Sequence, residues 1–98
     1  MFEDPFLAVV RARIKAARLA RQLRQSDAAE LAKMELRNWQ RLEGFNPRRK
    51  FNPTLETLRV VARVLEVSVG ELTATPTPEE LAMLESTERP ERVMRPRA

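Results

Sequence analysis

The stretch Arg37-Asn38-Trp39-Gln40-Arg41 places the side chains that recognise nucleobase edges around the chain's single tryptophan. Arginine can meet guanine O6 and N7 with two parallel N–H donors, and asparagine or glutamine can meet adenine N6 and N7 through its amide. On a helix advancing about 100° per residue, Trp39 at zero puts Arg37 and Arg41 near 160° and 200°, one turn apart. Asn38 and Gln40 flank them, while Leu42 and Glu43 fall on the Trp39 side and Leu36 lies at the edge of the apolar arc. The segment therefore has one core face and one face of donors and acceptors. Trp39 is expected in the core, because a stacking platform for single-stranded bases needs exposed aromatics in series, and no other aromatic lies on this helix. Arg48, Arg49 and Lys50 follow in a loop and are expected to contact phosphates, since loops beside a groove meet the backbone.

Composition narrows the chemistry further. Eighteen Lys/Arg against 14 Asp/Glu give a net charge of +4. The excess is local: between residues 37 and 50, Glu43 is the only acid among five cations. A basic patch of this kind fits an anionic partner, most often nucleic acid. With no cysteine and no histidine, the chain lacks thiol nucleophiles, the commonest general base and the commonest metal ligands. Two glycines cannot build a phosphate-cradling loop. Neither an enzyme nor a bound metal or cofactor is expected. The N-terminal "MFEDPFLAVV" carries acids where a signal peptide needs bases, and its apolar run is too short for a bilayer, so a cytoplasmic protein with no membrane partner is expected.

The elements that position these residues read as helices separated by short turns. Asp4-Pro5 opens a first helix over 5–22, with Phe6, Val10, Ile14 and Ala17 at helical spacing. An alanine-rich segment with an acidic start forms a second helix over 25–32, and the third runs from 36 to 43, ending at Gly44 as a left-handed cap. Two Asn-Pro steps mark the loop after it. Phe45 and Phe51 bracket that loop and are expected to tuck it against the domain. Thr54 caps a fourth helix whose stripe is Leu55, Leu58, Val61, Ala62 and Leu65, and Ser68 to Glu71 has capping-box spacing for a short fifth. The expected fold is all-α, five helices in one domain over 1–74. A Pro/Glu/Arg-rich tail follows over 75–98, mobile except for a turn or two of helix at 79–85. Phe2 and Phe6 either cover the core or form a dimer patch.

Laid end to end, "LRQSDAAELAKMELRNWQRLEG" resembles the helix-turn-helix of the lambda-repressor/Cro-like, or xenobiotic-response-element (XRE), family, without a gap from Leu23 to Gly44. "NPTLETLRVVARVLEVSVGEL" is similar to that family's fourth and fifth helices, so the resemblance spans residues 10–72. It implies that Gln25, at the start of the second helix, contacts the DNA backbone or a base edge; the neighbouring Arg24 is expected to contact phosphate. Ala29 would sit at the close crossing of the second and third helices and Met34 at the apolar turn position, with Trp39 and Leu42 as core positions of the recognition helix. Ile14, Leu58 and Leu65 complete the expected core. The resemblance further implies that Glu43 pairs with Arg18 in a buried or half-buried structural ion pair. Three residues depart from the family pattern. Arg24 replaces a capping Ser or Thr, leaving Ser26 or Asp27 to cap; Lys33 replaces the turn's glycine and would carry a positive φ; Glu35 replaces the capping Ser or Thr of the third helix. Glu35 can still cap and also stands near DNA, where a carboxylate repels phosphate or accepts from cytosine N4.

The implied function is a sequence-specific regulator of the repressor type, binding double-stranded DNA as a homodimer on half-sites about one helical turn (~34 Å) apart. Base reading falls to Glu35, Leu36, Arg37, Asn38, Gln40 and Arg41, and phosphate contact to Gln25, Arg24, Arg48, Arg49 and Lys50. A second reading is an antitoxin that regulates its own operon and wraps a toxin partner with a terminal extension. A third is a non-specific nucleoid or RNA-binding module.

Overall fold

Local capping chemistry sets most of the helix boundaries. The computed structural model describes residues 4–44 and 51–88, which form six helices and, among the described residues, no strand. In α1 (Pro5–Ala20) the Asp4 carboxylate accepts from the Phe6 N–H at 2.8 Å, and Pro5 occupies the first helical position. The helix stops two residues short of the expected end because Gln22 turns left-handed, with φ 59°. In α2 (Gln25–Leu31) the preceding residue is Arg24, whose side chain has no acceptor. Asp27 supplies the cap by accepting the Arg24 backbone N–H at 2.9 Å.

The turn after α2 closes as a Schellman-type motif, with the Met34 N–H bonded to the Ala29 carbonyl and the Lys33 N–H to that of Glu30. Lys33 sits there at φ 58°, as its replacement of the turn glycine implies. A left-handed backbone costs an L-residue roughly 1–2 kcal/mol, and Glu66 at φ 60° carries the same strain at the end of α4. Gly44 does not. It was expected as a left-handed cap for α3 (Leu36–Glu43), yet its backbone is extended at φ −110° and ψ 139°. The chain leaves α3 straight, and a Cβ at Gly44 would stand only 3.3 Å from the Gln40 carbonyl oxygen. Glu35 corrects a second expectation, since its side chain makes no capping bond to α3. Good N-caps carry their acceptor on a short side chain, and glutamate is one methylene longer than aspartate.

Thr54 caps α4 (Leu55–Leu65) through its hydroxyl, which accepts from the Thr57 N–H at 3.1 Å. The core meets α4 through its last two turns, where Val61, Ala62, Val64 and Leu65 are buried. Leu58, expected in the core, is only half-buried and lies outside the core cluster, and Leu55 is exposed. Ser68 and Glu71 form a reciprocal capping box that opens α5 (Val69–Thr73). Ile14, Ala29, Trp39, Leu42, Val61, Leu65 and Leu72 lie in one buried cluster, and Met34 and Phe51 pack against it half-buried.

The turn or two of helix expected at 79–85, in a tail beyond a domain ending at 74, lies inside a longer α6 (Pro78–Glu88), which packs on α1. Its start is a second capping box: the Glu80 N–H bonds the Thr77 hydroxyl at 3.1 Å, and the Glu80 carboxylate accepts from the Thr77 N–H at 3.0 Å. The same carboxylate takes two bonds from Arg13, at 2.9 and 2.7 Å. Arg13 also donates to the carbonyls of Leu72 and Ala74, tying the end of α5 to the start of α6. Bonds from Arg13 and from the Thr77 backbone hold the Glu80 carboxyl down at about 2, against an ordinary 4.5. A depressed folded-state value means that this contribution is full above about 4.5 and disappears as pH falls through about 2. The side-chain carboxyl resonance of Glu80 should accordingly titrate with a midpoint near 2. A midpoint near 4.5 would show that Arg13 does not hold the helix.

Candidate nucleic-acid interface

The polar quartet of α3 is outward because its opposite face is fully used. Trp39 has no exposed surface and Leu42 is buried, while Arg37, Asn38, Gln40 and Arg41 are all exposed. Glu35 and Leu36 are exposed at the leading end of the same helix. Packing alone would allow α3 some rotation about its axis; a buried polar group removes that freedom.

That group is the Glu43 carboxylate. One oxygen accepts from Arg18 Nε at 2.6 Å and from the Trp39 indole N–H at 2.6 Å. The other accepts from Arg18 Nη2 at 3.0 Å and from the Gln25 amide at 3.1 Å. Arg18 and Glu43 side chains are 8% and 4% exposed, so the pair is nearly dry. Arg18 directs its remaining terminal nitrogen to the Leu23 carbonyl, at 2.8 Å, where the chain turns from α1 to α2. Burial pushes the Glu43 pKa up, but bonds from Arg18, Trp39 and Gln25, together with the Arg18 charge, outweigh it and hold the carboxyl below its usual range. The carboxylate is thus charged, four-fold bonded, and shared by α1, α2 and α3.

Gln25, expected to contact phosphate, is half-buried and points its amide nitrogen inward to Glu43. Its oxygen faces Gln40, whose amide donates to it at 3.5 Å. Arg24 lies beside it with 82% of its side chain exposed, paired among the described residues with Asp27 at 3.2 Å, an ion pair of the exposed kind that adds little stability. Lys33 in the turn is exposed as well. The expected phosphate contacts Arg48, Arg49 and Lys50, with Phe45, lie outside the described residues. Phe51 lies under the guanidinium of Arg11, a buried α1 residue, with 5.3 Å between that group and the ring centroid.

Two contributors escaped the sequence reading. The Trp39-to-Glu43 bond is an i, i+4 pair, and that spacing is its only sequence signal. The Thr77/Glu80 box carries the standard Ser/Thr-x-x-Glu pattern but stands among prolines that read as tail. Among the described residues no group of three acidic or imidazole and thiol ligands could hold a metal, and no helix is long and apolar enough to cross a membrane. Comparison with protein-family models, with curated proteins and with solved structures gives no match for this chain.

Removing one member of a buried ion pair leaves an uncompensated charge, at a cost of about 3–5 kcal/mol, whereas replacing both members with apolar groups is often neutral. Glu43→Gln should lower the urea midpoint followed by Trp39 fluorescence by an amount equivalent to about 3–5 kcal/mol. Arg18→Met combined with Glu43→Leu should recover most of that loss. A single variant as stable as the wild type would show that the pair does not organise the domain.

Proposed function

We propose that this chain is a sequence-specific, double-stranded-DNA-binding transcriptional regulator of the repressor type, built on a lambda-repressor/Cro-like helix-turn-helix in which α2 and α3 are the paired helices. The observation that carries the reading is the exposed Arg37, Asn38, Gln40 and Arg41 face directly opposite the fully buried Trp39. A helix with its side chains is about 10–12 Å across, a size the major groove, about 12 Å wide, accepts.

Bound as a symmetric dimer, two copies of α3 enter successive major grooves on one side of the duplex, about 34 Å apart. Exposed Arg24, at the start of α2, and the basic residues Arg48, Arg49 and Lys50 meet phosphates and set the register. This part of the affinity carries no sequence information and falls steeply with salt. Discrimination belongs to the α3 face. The strongly bonded Glu43 cluster keeps that face fixed before DNA arrives, so little ordering cost is left for binding.

The test uses duplexes selected by the protein from a random pool, where an enriched palindrome is expected. On the selected duplex, Arg37→Ala should cost roughly 1–3 kcal/mol and relax one base position. Arg24→Ala should weaken all sequences about equally and lower the salt slope by about one. Equal losses on selected and random DNA for Arg37→Ala would refute α3 as the reading helix.

A further inference from the structure

We propose that Leu36, the first residue of α3, determines specificity by packing on the C5-methyl group of a thymine, so that the leading end of the helix selects an A·T pair by apolar contact. The inference rests on the duplex-DNA reading above and specifies one position of its half-site.

The helix carries three apolar side chains, and the fold uses two of them. Trp39 and Leu42 belong to the buried cluster, and Met34, just before the helix, packs against it. Met34 precedes the N-cap residue Glu35 and Trp39 is the fourth helical residue, the two positions whose apolar side chains close the entry to a helix. Leu36 takes part in neither arrangement. It is 43% exposed and lies outside both the core cluster and the half-buried residues packed around it. Leu19, Leu31 and Leu55 are exposed on other helices, and a single exposed leucine is ordinary. Leu36 differs from them in its place, between exposed Glu35 and exposed Arg37 at the leading end of the helix proposed to enter the major groove.

The chemistry of the groove then selects the target. Base edges there present acceptors, amino donors and one apolar group, the thymine methyl. A leucine side chain neither donates nor accepts, so a polar base edge that it covers loses water and gains no hydrogen bond, which is unfavourable. Against the methyl group both partners remove apolar surface from water, which is favourable. Consecutive Cα atoms are about 3.8 Å apart and stacked bases about 3.4 Å. The thymine therefore lies within about two base-pair steps of the position that Arg37→Ala relaxes.

The experiment takes the duplex that the full chain selects from a random pool and replaces its thymines with uracil one at a time. Uracil keeps the hydrogen-bonding groups of thymine and lacks only the methyl. At the Leu36 position it should weaken binding roughly fourfold per half-site, the equivalent of one apolar carbon returned to water. Leu36→Ala should lose this difference between thymine and uracil while keeping the wild-type preference at the Arg37 position, a result that general loosening of the fold would not produce. Leu36→Met, which keeps an apolar side chain of similar reach, should retain the difference. A wild-type protein indifferent to uracil at every thymine, a Leu36→Ala variant as sensitive to uracil as the wild type, or selected half-sites with no thymine at this position would overturn the thymine assignment and leave the regulator proposal standing. A pool that shows no enrichment would overturn the regulator proposal itself.

Discussion

The Glu43 carboxylate is the one polar group on which the arrangement of α1, α2 and α3 depends. It receives two donors from Arg18 on α1, one from Gln25 on α2 and one from Trp39 on its own helix. A buried ion pair of this kind seldom stabilises a fold more than apolar residues of the same volume would. Its effect here is directional. Apolar side chains such as Ile14, Leu42 and Leu65 reward burial without regard to angle, whereas four N–H donors converge on two oxygens in only one mutual orientation of the three helices. The small residues Ala28 and Ala29 let α2 approach closely enough for Gln25 to take part.

Once Glu43 and Trp39 are fixed inward, the period of the helix leaves Arg37 and Arg41 no direction but outward. Local sequence preferences give way around this junction. Lys33 holds a backbone conformation that glycine would adopt freely, and α3 begins without a side-chain cap. Real proteins break such rules in few places and most often where function resides. The α5–α6 end is organised by the same kind of device, with Arg13 collecting one carboxylate and two carbonyls.

What could be read from the sequence is what depends on near neighbours. The Asp4-Pro5 start, the Thr54 cap and the Ser68/Glu71 box each involve residues within three positions, and all formed. The two faces of α3 follow from helical period alone. The Arg18–Glu43 pair spans 25 residues and was visible only through the family resemblance. Its Trp39 and Gln25 donors were not visible. Leu58 failed as a core residue because the stripe on α4 says which side is apolar but not how far along the helix the core extends. Gly44 failed as a left-handed cap because its backbone is extended, a conformation any residue adopts, with a Cβ there standing 3.3 Å from the Gln40 carbonyl oxygen. The sixth helix was legible only as a turn or two at 79–85; its full extent and its packing were missed because its anchor, Arg13, lies 67 residues from Glu80, and prolines around a lone capping box look like tail.

The orientation of Trp39 offers the most direct measurement, through the resonance of its indole N–H, the only such group in the chain. Bonded at 2.6 Å to a buried carboxylate, that proton should exchange with water as slowly as core amides. It should also keep its position when duplex DNA is added, while the Arg37 and Arg41 side-chain resonances move. An indole that exchanges freely, or that shifts on DNA while the arginines stay still, would contradict an inward tryptophan aiming an outward arginine face.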